Sequence, residues 1–299
     1  MVDEIFDFLK MNDVKYKKDV KLSEISTVKI GGKAKVVSYP DSSDKLILLL
    51  KFLKKSEINY KILGRISNTL PSDDGYQGVI IKTDLLRSVN CKDCYIEADA
   101  GVSLAVLSRC ALREGLSGFE ELSGIPGSLG GSIRGNAGAF GREISDLVSF
   151  ITAYDPFSGN VVVLDPTELC FVYRGSSFRK NNWIILSSRL KLVQSDVSSI
   201  STAMKRFMEI RKATQPIGEP SLGSVFKRPC EGLYAAKMID ECGLKGKSIG
   251  GAKISEKHAG FIVNSGGASA RDYLSLVDYA QKCVYERFKV SLEREIEIM

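Results

Sequence analysis

The stretch GIPGSLGGSIRGNAGAFG, residues 124–141, places seven glycines in eighteen positions. Glycine lets a backbone adopt φ > 0 and approach another group closely, at an entropic cost on folding. Three uses fit such a stretch: a flexible linker, a tight bend, or a cradle for a phosphate-bearing ligand. Two familiar phosphate fingerprints are excluded. No two glycines in the chain are separated by a single residue, so G-x-G-x-x-G is absent. GLKGKS at 243–248 imitates the end of a P-loop, but the required first glycine falls on Glu241, and a helix pattern precedes it where a strand is needed. His258 is the only histidine, so neither a two-histidine metal site nor a second candidate for a Ser-His-Asp triad exists. In SEKHAGFIV it reads as a hydrogen-bonded structural residue. Cys91 and Cys94 form the one C-x-x-C pair among seven cysteines, and no metal is expected.

The elements that must position such residues can be read from periodicity. Residues 1–13 read as a leading helix, and VKIGGKAKVVSYP (28–40) as paired strands about a Gly-Gly turn. A helix is predicted over 44–58, short strands at YKILG, GVIIKT and CYIEADAG, and a helix at VSLAVLSRCALREGL ending before Gly115. SFITAYDP and NVVVLD form a hairpin around DPFSGN, followed by the strand WIILSSRLKLV. A long helix over 198–213 ends before the proline-bearing TQPIGEP, which puts a candidate domain boundary near 190–200. Beyond it come a helix at LYAAKMIDECGL, strands at GGAKIS and GFIVNS, a helix over 269–288 and a final strand LEREIEI.

Composition narrows the classes. With 299 residues, 44% apolar and 26% charged, the chain is an ordinary globular protein of about two domains. The net charge of +6 is dispersed, and no basic run carries interleaved aromatics, so no nucleic-acid partner is expected. MVDEIFDFLK is acidic where a secretory signal is basic, and no apolar run reaches membrane-spanning length; together with scattered thiols this points to a cytoplasmic protein without membrane contact.

Seven motifs occur in order: STVKIGGKA, LGRISN, GIPGSLGGSIRGNAGAFGREISD, YRGSSF, PSLGSVFK, GLKGKSIGGAKISEKHAGFIVN and LEREIEI. Together they resemble the bacterial UDP-N-acetylenolpyruvoylglucosamine reductase (MurB) family, from about residue 26 to the C-terminus. The resemblance implies an α+β fold: an FAD-binding region of the vanillyl-alcohol-oxidase/PCMH type with two subdomains (1–195), then an α+β substrate domain (196–290), with a last strand (291–299) returning to the FAD region. It implies NADPH-dependent reduction of UDP-N-acetylglucosamine enolpyruvate to UDP-N-acetylmuramate through non-covalent FAD, in a monomer. The short span between YRGSSF and GSVFK is similar to the family class lacking an inserted tyrosine-bearing loop.

In that chemistry, hydride from the reduced flavin reaches the enolpyruvyl methylene carbon, and a proton must reach the adjacent carbon while charge develops on the carboxylate side. The resemblance makes Ser224 the proton donor, Arg174 the enolate-stabilising cation and Glu295 the catalytic glutamate; strand alternation alone leaves Glu293, Glu295 and Glu297 on one face. Ser67, Asn68, Gly124, Gly127, Gly130, Gly131, Asn136, Ala137 and Gly138 are the implied cofactor contacts. Tyr173, Arg211, Gln215 and Lys227 are the implied substrate contacts, and His258 supports the pocket.

The chain departs from the family pattern in two places. Arg65 and Ile66 fill positions of the flavin loop that are commonly glycine, and Arg228 stands where asparagine is usual. Two other readings stay open on the sequence: a flavin or UDP-sugar binder without turnover, and another flavin oxidoreductase on the same scaffold. On the main reading, the glycine stretch is a backbone wall with glycine wherever a Cβ would strike the cofactor.

Overall fold

The computed structural model describes residues 2–299. Its helices are α1 (Val2–Met11), α2 (Leu22–Ile25), α3 (Ser43–Lys55), α4 (Leu104–Arg113), α5 (Leu129–Arg134), α6 (Val197–Thr214), α7 (Ala235–Glu241) and α8 (Ala270–Phe288). The chain divides into two units. One comprises the described residues as far as Lys18, Val36–Arg65 and Gly78–Glu209; the other comprises Asp19–Lys35, Ile66–Gln77 and Ile210–Met299.

The first unit has two hydrophobic cores. One packs α1 and α3 through Ile5, Leu9, Leu46, Leu49, Leu50 and Leu53 against Val36, Val79 and Ile81. Leucines at i, i+3, i+4 and i+7 place one face of α3 in that core, and each contributes roughly 1.5–3 kcal/mol by burial. Ser42 caps its start, the hydroxyl accepting from the Lys45 N–H at 3.2 Å. The other core lies under a five-stranded sheet ordered 160–164, 148–155, 184–191, 95–99, 89–92, antiparallel throughout. The hairpin around DPFSGN is its first pair.

The second unit packs α7 and α8 on a sheet ordered 221–224, 261–264, 252–254, 248–249. In α8, Tyr273, Leu276, Val277, Ala280 and Val284 form the buried stripe. Ser269 caps this helix, and the carboxylate of Asp73 accepts from the N–H groups of Ala270 and Arg271 at 2.7 and 3.1 Å. No helix among the described residues is long and apolar enough to cross a membrane.

Several expectations are corrected. Position 1 of the leading helix lies outside the described residues. Residues 28–32 form no hairpin with 33–39. A Cβ at Gly32 would stand 2.1 Å from the Asp73 carbonyl, so this glycine serves close approach to the 73–75 turn. The predicted final strand is a two-residue strand, Glu297–Ile298, parallel to Thr69–Leu70, preceded by a bridge between Arg294 and Phe226. The last segment of the second unit begins at Ile210, inside α6. Residues 19–35 and 66–77 group with the C-terminal unit because Val28, Ile30 and Leu70 are buried in its core.

Candidate active site

In the second unit, three distant motifs are stitched together by short hydrogen bonds. Ser224 ends the strand Ser221–Ser224 after Gly223, which has φ +77, and the pairing with 261–263 shifts register there. Such an irregularity re-aims the next side chain. The Glu295 N–H donates to the Val225 carbonyl at 2.8 Å, so the C-terminal glutamate and the serine lie on adjacent backbones. Asn68 Nδ2 donates to the Glu295 carbonyl at 3.0 Å. Thr27 Oγ1 is within hydrogen-bond distance of the Ile66 and Ser221 carbonyls, at 3.1 and 2.8 Å. Thr27 lies in the motif STVKIGGKA but was not among the site candidates. Glu293 is separated from Glu295 by its own partner: its carboxylate pairs with Lys227 Nζ at 2.5 Å. That contact occupies Lys227, a candidate for the substrate.

The flavin-loop departure has a structural answer. Ile66 keeps a left-handed backbone, φ +52, although β-branched residues avoid it at roughly 1–2 kcal/mol. Its buried side chain and the Thr27 N–H, which donates to its carbonyl at 3.3 Å, hold it there. The N–H groups of Ser67 and Asn68, which follow it, donate to no group among the described residues. Consecutive backbone donors after a left-handed residue are the arrangement that phosphate oxygens require.

Arg211, in the last turn of α6, donates from Nη1 to Oε1 of Gln215, just past the helix end, at 3.2 Å; both are substrate candidates of this unit. The guanidinium is buried, and that burial pulls its pKa below the ordinary value. His258 accepts from the Gly260 N–H through Nδ1 at 3.1 Å and packs edge-on to Phe261. It is a structural acceptor, and burial lowers its pKa.

The first unit carries Arg174, Tyr173 and the glycine stretch. Ser128, Leu129 and the glycines after them begin α5, a helix the sequence reading missed because two of its six residues are glycine. Ser128 Oγ caps it through the Gly131 N–H, while the Leu129 and Gly130 N–H groups donate to Val102 and Ala100 carbonyls. The wall reading therefore needs revision. A Cβ at Gly127 would stand 2.9 Å from Ser132 Oγ, one at Gly130 2.9 Å from Ala100 Cβ, and one at Gly138 2.7 Å from the Arg142 carbonyl. At Gly130 and Gly138 the protein itself fills the space, whereas at Gly127 the obstacle is a serine hydroxyl that can rotate. Gly131 meets only Ser128 Oγ at 3.3 Å, and Gly141 nothing within 4 Å.

Gly64 abuts the same helix start: its Cβ would stand 2.3 Å from Ser128 Oγ. Lys82, almost wholly buried, donates from Nζ to the Gly64 carbonyl and pairs with Asp84 at 3.3 Å. Burial lowers its pKa, opposed by Asp84. A lysine closing the apolar run GVIIK was its only sequence signal.

Arg174 sits in a tight turn with φ +57, closed by the bridge between Val172 and Gly175. Its Nη2 donates to the Gly138 carbonyl at 2.9 Å, and the guanidinium lies over the Tyr173 ring at 4.9 Å. Asn136 is buried, its side-chain amide spent on Glu143, on the Val172 carbonyl and on the Ser145 N–H, and its backbone N–H donates to the Ile133 carbonyl at 3.2 Å. Two concavities of about 420 and 410 Å³, one on α6 between Ser198 and Phe207 and one formed by Lys51, Lys54 and Lys55 with Tyr154 and residues 157–159, contain no candidate. Among the described residues no cluster could hold a metal.

Comparison with known proteins gives two family matches: the UDP-N-acetylenolpyruvoylglucosamine reductase C-terminal domain over residues 215–299 and an FAD binding domain over 34–165. The chain is 42% identical over 299 residues to the UDP-N-acetylenolpyruvoylglucosamine reductase of Caldanaerobacter subterraneus, covering 100% of this chain and 98% of the relative. It is 41% identical over 278 residues to that of Listeria monocytogenes, covering 93% of each. The crystal structure of the Thermus caldophilus reductase (MurB) aligns with TM-score 0.81 at 34% identity, covering 95% of this chain and 98% of that one. Alkyldihydroxyacetonephosphate synthase, at 17% identity and TM-score 0.50 over 64% of this chain and 40% of that one, shares the fold alone.

Proposed function

The chain belongs to the UDP-N-acetylenolpyruvoylglucosamine reductase family and is an FAD-dependent oxidoreductase of peptidoglycan precursor synthesis; we propose that it reduces UDP-N-acetylglucosamine enolpyruvate to UDP-N-acetylmuramate at the expense of NADPH, using Arg174, Ser224 and Glu295. The observation that carries this reading is the register of the C-terminal segment, in which the Glu295 N–H meets the carbonyl beside Ser224. FAD, when bound, supplies hydride transfer.

The residues present fit such a cofactor. The Ser67 and Asn68 N–H groups suit its pyrophosphate, and the glycine stretch offers unobstructed Cα surface at Gly141. Arg174 opposes the negative charge that develops on the carboxylate side of the substrate; its planar fork suits a carboxylate better than an ammonium would. Ser224 Oγ delivers the proton to the adjacent carbon. A serine hydroxyl is a weak acid, so it acts only through fixed geometry, here supplied by the irregularity at Gly223. Glu295 assists that proton delivery, and Asn68 holds its backbone. The paired Lys227 and the mutually engaged Arg211 and Gln215 are proposed as substrate contacts that exchange partners on binding.

The test is NADPH oxidation by purified holoenzyme with and without the enolpyruvyl substrate, with product identified by mass. Substrate-dependent oxidation yielding one UDP-N-acetylmuramate per NADPH supports the reading. Oxidation indifferent to substrate overturns it.

A further inference from the structure

Glu143, which the chemistry above does not use, stands at the centre of the polar cluster around Arg174. One carboxylate oxygen accepts from Asn136 Nδ2 at 2.7 Å, and the other lies 3.8 Å from Arg174 Nη1. Asn136 in turn holds the Val172 carbonyl at 3.1 Å, two residues before the arginine. Arg174 Nη2 reaches the Gly138 carbonyl, and Glu143 pairs with Gly138 across a two-strand ladder. A Cβ at Gly138 would stand 2.9 Å from Glu143 Cγ, so the bare glycine is what lets the glutamate lie across the hairpin towards Arg174. The backbone of Glu143 is fixed as well, its N–H donating to Asp146 at 3.0 Å.

We infer that Glu143 is the positioning residue for Arg174: anchored by Asn136 on one oxygen, it aims the guanidinium with the other. At 3.8 Å the ion pair lacks a hydrogen bond's grip. It orients the arginine without the bidentate lock that would compete with a substrate carboxylate. The inference rests on the proposed role of Arg174. It adds that the role depends on a carboxylate outside the three residues proposed for the chemistry.

The experiment is a double-mutant cycle on the holoenzyme with Glu143→Gln, Arg174→Lys and the pair. It reads kcat, KM, flavin content, and substrate binding to the oxidised enzyme by flavin absorbance. Glu143→Gln keeps the flavin but loses about 10- to 100-fold in kcat, the scale of a misaimed group, with KM changed by less than about threefold. In the pair, the loss stays within about twofold of Arg174→Lys alone, because the glutamate has no arginine left to aim. Retained kcat in Glu143→Gln, or losses that multiply in the pair, overturns the inference. A purely structural glutamate would instead lower flavin content and melting temperature while leaving kcat per bound flavin unchanged. If Glu143→Gln does not fold, the cycle is run with Glu143→Asp, whose carboxylate is drawn back by one methylene and loses the same contact. The parent enzyme separates the two claims: no substrate-dependent turnover in the parent defeats the proposed function, while normal turnover in both parent and Glu143→Gln defeats only this inference.

Discussion

Gly64→Ala tests the contact that docks the flavin loop on the start of α5. The added methyl would stand 2.3 Å from Ser128 Oγ and 3.2 Å from Ser128 Cβ. The hydroxyl must rotate away, abandoning its cap on the Gly131 N–H, a loss of about 1 kcal/mol. Overpacking against the serine Cβ adds roughly 1–3 kcal/mol, offset by about 0.4–1 kcal/mol from the stiffer unfolded chain. The net is destabilisation by about 2 kcal/mol, a fall in melting temperature of about 3 °C for a chain of 299 residues. Ser128→Gly alone should cost only a few tenths of a kcal/mol, since glycine is a tolerable cap. The double variant Gly64→Ala/Ser128→Gly removes the obstructing atoms and should return to within about 1 kcal/mol of the parent, a coupling well above the ~0.5 kcal/mol of independent sites. Thermal unfolding of the four proteins reads this directly. Losses that simply add would show that residue 64 and Ser128 are not in contact, and the docking argument would fail.

Other expectations follow from the same contacts. Glu295→Gln should lower kcat by about 10²-fold or more while flavin content holds, since the backbone bonds of residue 295 survive; loss of flavin would show a structural role. Asp73→Ala strips two acceptors from the start of α8 and should cost about 1–2 kcal/mol in unfolding experiments, with no effect expected on kcat. His258 has a folded-state pKa below its unfolded value near 6.5, so the unfolded state binds the proton first. Stability should therefore be full above about pH 6.5 and fall as pH drops from there towards the folded pKa. His258→Asn, which keeps an acceptor for the Gly260 N–H, should flatten that part of the melting-temperature profile between pH 7.5 and 5.5; an unchanged slope would remove His258 as its source.

Much of the fold was legible where periodicity carries it. The leucines of α3, the stripe of α8 and the hairpin around DPFSGN follow from spacing and turn residues. Helix α5 was not, because glycines at its second and third positions erase the propensity that Ser128, Val102 and Ala100 restore by hydrogen bonding. The paired glycines at 31 and 32 misled in the opposite direction: they looked like a hairpin turn but serve contact with residues 71–75, a partner forty positions away. The motifs named Ser224 and Glu295 but could not say that one backbone hydrogen bond sets them side by side. Nor could they separate glycines that face their own protein, such as Gly130 and Gly138, from those with an open surface, such as Gly141. Glu143 and Thr27 stayed invisible because their roles exist only through partners supplied by the fold.

The central claim, that Ser224 delivers the proton, is met most directly by Ser224→Ala holoenzyme mixed in turn with NADPH and with the enolpyruvyl substrate. The account predicts bleaching of the flavin absorbance by NADPH at the parent's rate, and formation of UDP-N-acetylmuramate slowed by about 10²–10⁴-fold, the range a positioned acid contributes. Product formation at the parent's rate would contradict it.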